Sequence, residues 1–363
     1  MSLPSYTQAG IALADKTTLA VGGPAKTLAM PLTEAETVDT YRALAADETP
    51  VLTLGGGSNM LVADAGWDGA VVQSNDFSMD VAADGDDRIV SAGAGIEWDE
   101  LVAFCVDDGL AGIECLSGIP GRVGAAPIQN IGAYGQEISE VVESVRVYDK
   151  LADDIVDVPA EECGFGYRTS QFKRDWAGER VVLSVRIRLR PGGEATVRYP
   201  ELRKALGMDA GLETPPLATV RDTVVRIRRR KSMVYDTSDP NHRSAGSFFV
   251  NPIVDDETLA EALAVAVELE VELPHWPVQP GATKLSAAWM IERTGFEKGF
   301  TFGKVGLSTR HCLALINRGG ATAQALVGLA SMIRRQVRAR FGVTLRPEPA
   351  FIGFDQTLDE LLG

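Results

Sequence analysis

Leu54-Gly55-Gly56-Gly57-Ser58-Asn59-Met60-Leu61-Val62 is the stretch on which the reading of this chain turns. It sets three consecutive glycines and two side-chain donors directly after residues 51–54, an apolar run that reads as a buried strand. Glycines at such a turn let backbone N–H groups approach phosphate oxygens, and Ser58 and Asn59 add a hydroxyl and an amide. A glycine cluster after a strand is also an ordinary turn, so the segment alone leaves both readings open. A second small-residue loop strengthens the first reading: Gly118-Ile119-Pro120-Gly121 runs on through Arg122, Gly124 and Ala125, and Gln129, Asn130 and Tyr134 follow. Two such loops suggest a long, phosphate-bearing cofactor. Neither has GxGxxG opening a helix, and neither has GxxxxGK[ST], which disfavours a Rossmann or P-loop site.

Outward from these loops the pattern is that of an α+β chain, since short strands and helices mix without the long regular alternation of a doubly wound sheet. Thr33 followed by Glu36 predicts a capped helix up to about Asp47, ended by Pro50. Residues 88–92 read as a strand, and Trp98, Leu101, Val102 and Cys105 then recur at helical spacing. Strands are expected over 142–147 and 183–189, the second alternating Leu183, Val185, Ile187 and Leu189 against Ser184, Arg186 and Arg188. After Pro191-Gly192-Gly193 and Thr214-Pro215-Pro216 comes a helix carrying Leu217, Val220, Val224 and Ile227, with a domain boundary nearby. Further helices are expected at about 256–269, 286–294 and 321–340, the last burying Leu326, Leu329, Ile333 and Val337 and stopping at Gly342. Residues 343–354 read as extended.

Composition narrows the function. The 363 residues are 45% apolar, enough for ordinary cores in two to three domains. With 35 basic against 50 acidic residues the net charge is −15, which disfavours sequence-independent binding to nucleic acid or to an anionic membrane. The four cysteines, Cys105, Cys115, Cys163 and Cys312, lack CxxC spacing and fit a reducing compartment. His242, His275 and His311 show no ligand spacing, so no metal is expected. Residues 1–10 lack a basic region followed by an apolar run, and no 18-residue apolar stretch occurs, so a cytoplasmic location is expected.

Three further segments carry possible chemistry. Arg226, Arg228, Arg229, Arg230 and Lys231 form either a local anion site or a solvated helix face. Residues 244–252 pack Ser244, Ser247, Phe248, Phe249 and Asn251 before Pro252; Ser247 is either a proton donor or a turn serine, and no GxSxG marks a hydrolase nucleophile. Glu348 lies between Pro347 and Pro349, either partly buried with a raised proton affinity or on an exposed edge strand.

Together with Thr17-Thr18-Leu19, Gln129-Asn130-Ile131-Gly132-Ala133-Tyr134-Gly135, Phe165-Gly166-Tyr167-Arg168 and Ala245-Gly246-Ser247-Phe248-Phe249, these motifs make the chain resemble the UDP-N-acetylenolpyruvoylglucosamine reductase family over almost its whole length. Tyr199, in Val197-Arg198-Tyr199-Pro200-Glu201-Leu202, resembles the subclass whose tyrosine loop closes over the substrate. The resemblance implies a vanillyl-alcohol-oxidase/PCMH-like FAD-binding fold: α/β subdomains at 1–76 and 77–220, a C-terminal α+β substrate-binding domain at 221–341, and 342–363 returning to the first. It implies non-covalent FAD, held by Gly55, Gly56, Gly57, Ser58, Asn59, Gly118, Ile119, Pro120 and Gly121, with Gln129, Asn130, Tyr134 and Tyr167 beside it. NADPH is implied as hydride donor and a nucleotide sugar as substrate, handled by a monomer.

The implied catalytic residues are Arg168 on the substrate carboxylate, Glu348 at the enolate and Ser247 as proton donor; Tyr199, Lys231, Asn251 and His311 would meet the diphosphate. One departure stands out: many relatives read Val-Arg-Phe after the glutamate, where this chain has Pro349-Ala350-Phe351.

Overall fold

The clean alternation of residues 183–189 becomes the strand Arg180–Pro191, the axis of the largest sheet. Leu183, Val185, Ile187 and Leu189 are buried, whereas Ser184, Arg186 and Arg188 are partly exposed, as a period of two requires. This strand pairs antiparallel with Val142–Asp149 on one side and Asp87–Gly93 on the other. Asp154–Pro159 and Met79–Asp84 form the outer edges, and Leu110–Ala111 pairs with its far end. The computed structural model describes residues 6–210 and 213–363. Residues 1–5, part of the N-terminal segment read above for a leader, lie outside the described residues.

The chain divides into two compact units, one of residues 1–11, 25–57 and 68–235, the other of 12–24, 58–67 and 236–363. In the first, a second sheet runs in the order Thr7–Ala12, Pro24–Ala29, Trp67–Val72, Val51–Thr53. The helix Glu34–Ala46 buries Val38, Tyr41 and Leu44 with Tyr148, Val181 and Leu183. Thr33 caps it by accepting the Glu36 N–H, but the Glu36 carboxylate accepts from Leu32 rather than from Thr33, so the reciprocal capping box is displaced by one residue. Trp98–Asp107 is a helix whose Trp98, Leu101, Val102 and Cys105 are all buried, and Leu217–Arg230 buries Val220, Val224 and Ile227.

The second unit is built round the helix Ala323–Phe341, whose Leu326, Leu329, Ile333 and Val337 are buried. Burial of each such side chain stabilises by about 1.5–3 kcal/mol. Gly342 ends the helix at φ +68°, a left-handed conformation that glycine adopts without steric cost. Around it lie the helices Asp256–Glu268 and Ala287–Glu292 and two three-stranded sheets. Ala350–Ile352 runs parallel to Met60–Val62. It is the only regular strand in the expected extended stretch 343–354, because Pro347 and Pro349 supply no N–H for a longer ladder.

Among the described residues no helix is long and apolar enough to cross a membrane, and no group of three histidines, cysteines or carboxylates could hold a metal ion. All four cysteines are free and buried.

Candidate active site

In the first unit the two glycine loops meet backbone to backbone. A Cβ on Gly56 would lie 2.8 Å from the Gly121 Cα, and one on Gly55 would lie 3.0 Å from the Ala125 Cβ. Only glycine permits this approach. Gln73 donates to the Gly55 carbonyl at 2.7 Å, while the N–H groups of Gly55, Gly56 and Gly57 hydrogen-bond no backbone carbonyl among the described residues.

The second loop is gripped from behind by the first turn of the helix Trp98–Asp107. Trp98 N–H donates to the Gly121 carbonyl at 2.8 Å, and Asp99 Oδ1 accepts the Gly118 N–H at 2.6 Å. Arg221 binds both oxygens of Asp99. Burial opposes ionisation of Asp99, but Arg221, the Gly118 N–H and the charge of Arg228 together hold its carboxyl below the ordinary range. Arg228 Nε donates to the Gly118 carbonyl. The basic run is therefore split by function: Arg228 turns inward, and burial pulls its guanidinium below its ordinary value, while Arg229 and Arg230 are exposed. Arg122 donates to the Ser74 carbonyl and Asn75, a structural use. The first loop's N–H groups, which bond no described backbone carbonyl, and the second loop laid against it fit the diphosphate of FAD, which Gly55, Gly56, Gly57 and residues 118–121 would hold.

The segment after the second loop is stitched by Asn130. Its amide nitrogen donates to Glu137 and to the Gly166 carbonyl, its oxygen accepts the Ser139 N–H, and the residue is 1% exposed. The structure thus commits the Asn130 side chain to protein contacts. Arg168 donates to the Gly132 carbonyl at 2.7 Å and lies over the Tyr167 ring at 5.4 Å. Asn130, Tyr134 and Arg168 have φ of +47°, +51° and +56°, an unfavourable region for side chains with a Cβ. Tyr199 meets Tyr134 edge-on at 5.5 Å, and Arg198 bonds Glu140 and the Gly135 carbonyl. Burial pushes the Tyr134 hydroxyl up to about 12. Lys231 Nζ donates to Glu201, two residues beyond Tyr199. Gln129, Ile119 and Pro120 are partly buried along the same stretch.

In the second unit Ser247 follows Gly246, at φ +70°, and precedes Phe248 and Phe249, both fully buried. The residue is partly exposed, and its hydroxyl hydrogen-bonds no described residue. The Glu348 N–H donates to the Phe248 carbonyl at 2.8 Å, Val250 N–H donates to Arg346, and Phe249 bridges Pro347. The structure therefore lays the serine segment along the glutamate segment. Asn59 joins them: its carbonyl accepts the Ala350 N–H and its amide donates to the Glu348 carbonyl. Asn251 Oδ1 accepts the Ala287 N–H at the start of that helix, and its NH2 hydrogen-bonds no described residue. His311 Nδ1 accepts the Leu313 N–H, which puts the neutral ring's proton on Nε2.

Sequence reasoning missed Thr18 as an anchor. Its hydroxyl donates to the Ser244 carbonyl at 2.6 Å and lies 3.4 Å from that of Ser58. Asp99 was also missed, since its partners are remote in sequence. A cavity of about 370 Å³ in the first unit, lined by Gln136, Glu140, Glu143, Arg188 and Thr196 among others, includes none of the expected site residues.

These features define an α+β flavin-binding protein, and residues 25–155 match the family described as FAD binding domain. Residues 239–352 match the UDP-N-acetylenolpyruvoylglucosamine reductase C-terminal domain. The UDP-N-acetylenolpyruvoylglucosamine reductase of Thermobifida fusca is 49% identical over 352 residues, covering 94% of this chain and 97% of the relative. That of Nocardia farcinica is 48% identical over 348 residues, covering 94% and 89%. The crystal structure of the Thermus caldophilus reductase superposes with a TM-score of 0.64 at 26% identity, covering 96% of this chain and 100% of that one. The chain belongs to the UDP-N-acetylenolpyruvoylglucosamine reductase family.

Proposed function

We propose that this chain catalyses the NADPH-driven, FAD-dependent reduction of UDP-N-acetylglucosamine enolpyruvate to UDP-N-acetylmuramate, in peptidoglycan precursor synthesis. Bound FAD supplies the hydride relay, from NADPH to the methylene carbon of the enolpyruvyl group. The protein must then stabilise the enolate that develops beside the carboxylate and protonate the adjacent carbon. Arg168 offers a planar fork of donors to the carboxylate. Glu348, if protonated, donates a hydrogen bond to the enolate oxygen. Ser247 delivers the proton to carbon, and a solvent relay restores it. Tyr199, Lys231, Asn251 and His311 take the diphosphate, the last two through the Asn251 NH2 and the His311 Nε2–H. NADPH and substrate both carry a diphosphate, so each is expected to compete with the other in a ping-pong cycle. In this reading residues 221–341 form the substrate domain, and the enzyme works as a cytoplasmic monomer.

The observation that supports this reading most directly is the Ser247 hydroxyl, which hydrogen-bonds no described residue and precedes two buried phenylalanines whose backbone pairs with the Glu348 segment. The test is anaerobic NADPH oxidation by the FAD-supplemented protein, with and without the enolpyruvyl sugar. Sustained turnover only with the sugar supports the proposal; flavin reduction with no turnover overturns it.

A further inference from the structure

We propose that Glu114 is a positioning residue that fixes the Tyr199 arm to the segment carrying the second glycine loop. Its carboxylate is fully buried between Ile113 and Cys115, both also at 0% exposure. Three N–H donors from three separate segments converge on it. Oε1 accepts the Thr196 N–H at 2.7 Å and the Gln136 amide at 3.1 Å, and Oε2 accepts the Gly112 N–H at 2.8 Å. Thr196 lies three residues before Tyr199, and Gln136 two residues after Tyr134, the ring against which Tyr199 packs. The Glu114 carbonyl accepts the Ser117 hydroxyl at 2.6 Å, directly before Gly118.

Neighbouring contacts close the network. Cys115 N–H donates to Gln136 Oε1 at 2.9 Å, and Cys115 Sγ donates to the Thr196 carbonyl at 3.0 Å. Val197 and Leu202, on either side of Tyr199, pack in the same small core as Cys115, Val220, Val224 and Ile227. Beside this apolar contact and the side-chain bonds of Arg198 and Glu201, the arm is seated by a buried polar node, Glu114.

The donor set explains why a glutamate stands here. Every partner is an N–H, so the position calls for an acceptor on both oxygens. A glutamine in place of Glu114 keeps one oxygen for Thr196 and Gln136 and sets its NH2 against the Gly112 N–H. An alanine leaves three donors unanswered, the buried Gln136 amide and the partly buried N–H groups of Gly112 and Thr196, each costly to the extent that water cannot reach it.

This inference deepens the reading of Tyr199 as a substrate-side residue and rests on it, so its test has one arm that does not depend on that reading. The first measurement is hydrogen exchange in the FAD-loaded protein. Glu114→Ala is expected to speed exchange across residues 196–206 and to leave the helix Ala323–Phe341 protected as before. Unchanged exchange in the arm overturns the proposal whatever the substrate proves to be.

The second measurement is calorimetric binding of the enolpyruvyl sugar to the oxidised holoprotein, without NADPH and so without turnover. Glu114→Ala is expected to weaken binding by about tenfold, the size of one lost hydrogen bond, and Glu114→Gln to restore most of it, because it keeps an oxygen for the Thr196 N–H and its mismatch falls on Gly112, outside the arm. In a Tyr199→Phe background the alanine should cost much less, because both changes act on one arm; fully additive losses would mean that Glu114 acts elsewhere. Should Glu114→Ala fail to fold, Thr196→Pro deletes the single N–H at the arm, and wild-type binding by that variant overturns the proposal. A wild-type protein that binds no enolpyruvyl sugar, with exchange in the arm still governed by Glu114, would sink the functional reading and leave this one standing.

Discussion

The flavin-loop side of the first unit and the serine–glutamate side of the second hold their functional groups by different means. Around Arg168 the work falls to side chains: the Asn130 amide makes three hydrogen bonds, and three non-glycine residues sit at positive φ. Around Ser247 it falls to the backbone, through the Phe248–Glu348, Val250–Arg346 and Phe249–Pro347 pairings. A site built on side chains is lost when one of them is truncated. A site built on backbone pairing tolerates truncation of the reactive group and should lose chemistry alone. The sharpest break between the two lies in whether activity and stability separate.

Ser247→Ala tests the backbone side and should show the largest effect. Turnover is expected to fall on the order of 10²-fold or more, as when general-acid catalysis is removed. The melting temperature should not move, because the hydroxyl bonds no described residue. NADPH should still bleach the flavin. Turnover within a few-fold of wild type in steady-state assays would remove Ser247 from the proton-donor role. Asn130→Ala tests the other side and should lower activity and stability together. Loss of its bonds, with Glu137 and Gly166 left short of a buried partner, is expected to cost about 1–3 kcal/mol in denaturant unfolding. Asn130→Gly, which relieves the positive φ but also lacks the amide, should recover only the backbone share. If both variants unfold like wild type, the contrast between the two regions fails.

The same contrast explains what could be read from the sequence. Elements followed from periodicity: Leu183 to Leu189 alternates, Trp98 to Cys105 repeats at helical spacing, and both lie within three residues of the observed bounds. The glycine loops were legible because close backbone approach leaves glycine as the permitted residue, as Gly56 against Gly121 shows. Backbone pairing between residues 247–250 and 346–348 was not legible, since prolines interrupt the expected strand and the contact spans about a hundred residues. Side-chain nodes were harder still. Asp99 meets Gly118 and Arg221, and Asn130, a residue expected beside the cofactor, also stitches loops together. Glu114 left one usable signal, a single carboxylate inside the run Ile113-Glu114-Cys115-Leu116, where an acid is buried only with partners.

Thr18 offers a smaller test on the backbone side, because its side chain ties Ser244 into that frame. Thr18→Val keeps the shape and deletes the hydroxyl, so it should cost about 1 kcal/mol in unfolding free energy. Thr18→Ser, which retains the donor, should recover most of this; a loss in Thr18→Ser with none in Thr18→Val would mean that the methyl group, not the 2.6 Å hydrogen bond to Ser244, matters there.

The smallest expected effect is the pH response of the second glycine loop. The Asp99 carboxyl is depressed in the folded chain: burial works against ionisation, but Arg221 and the Gly118 N–H outweigh it. A group depressed on folding contributes its stability in full above the unfolded carboxylate range, near pH 4, and loses it as pH falls through the folded value. Asp99→Asn should therefore differ from wild type at neutral pH and converge with it in acid. Part of the carboxylate is exposed, and solvent screens its pairing with Arg221, so the difference will be modest. Acid unfolding curves of the two proteins that stay parallel down to pH 2 would show that the Gly118 loop does not depend on this charge. Convergence, with FAD affinity weakened at neutral pH in the asparagine variant, would place the loop's anchor in the first turn of the helix Trp98–Asp107, on the region held by side chains.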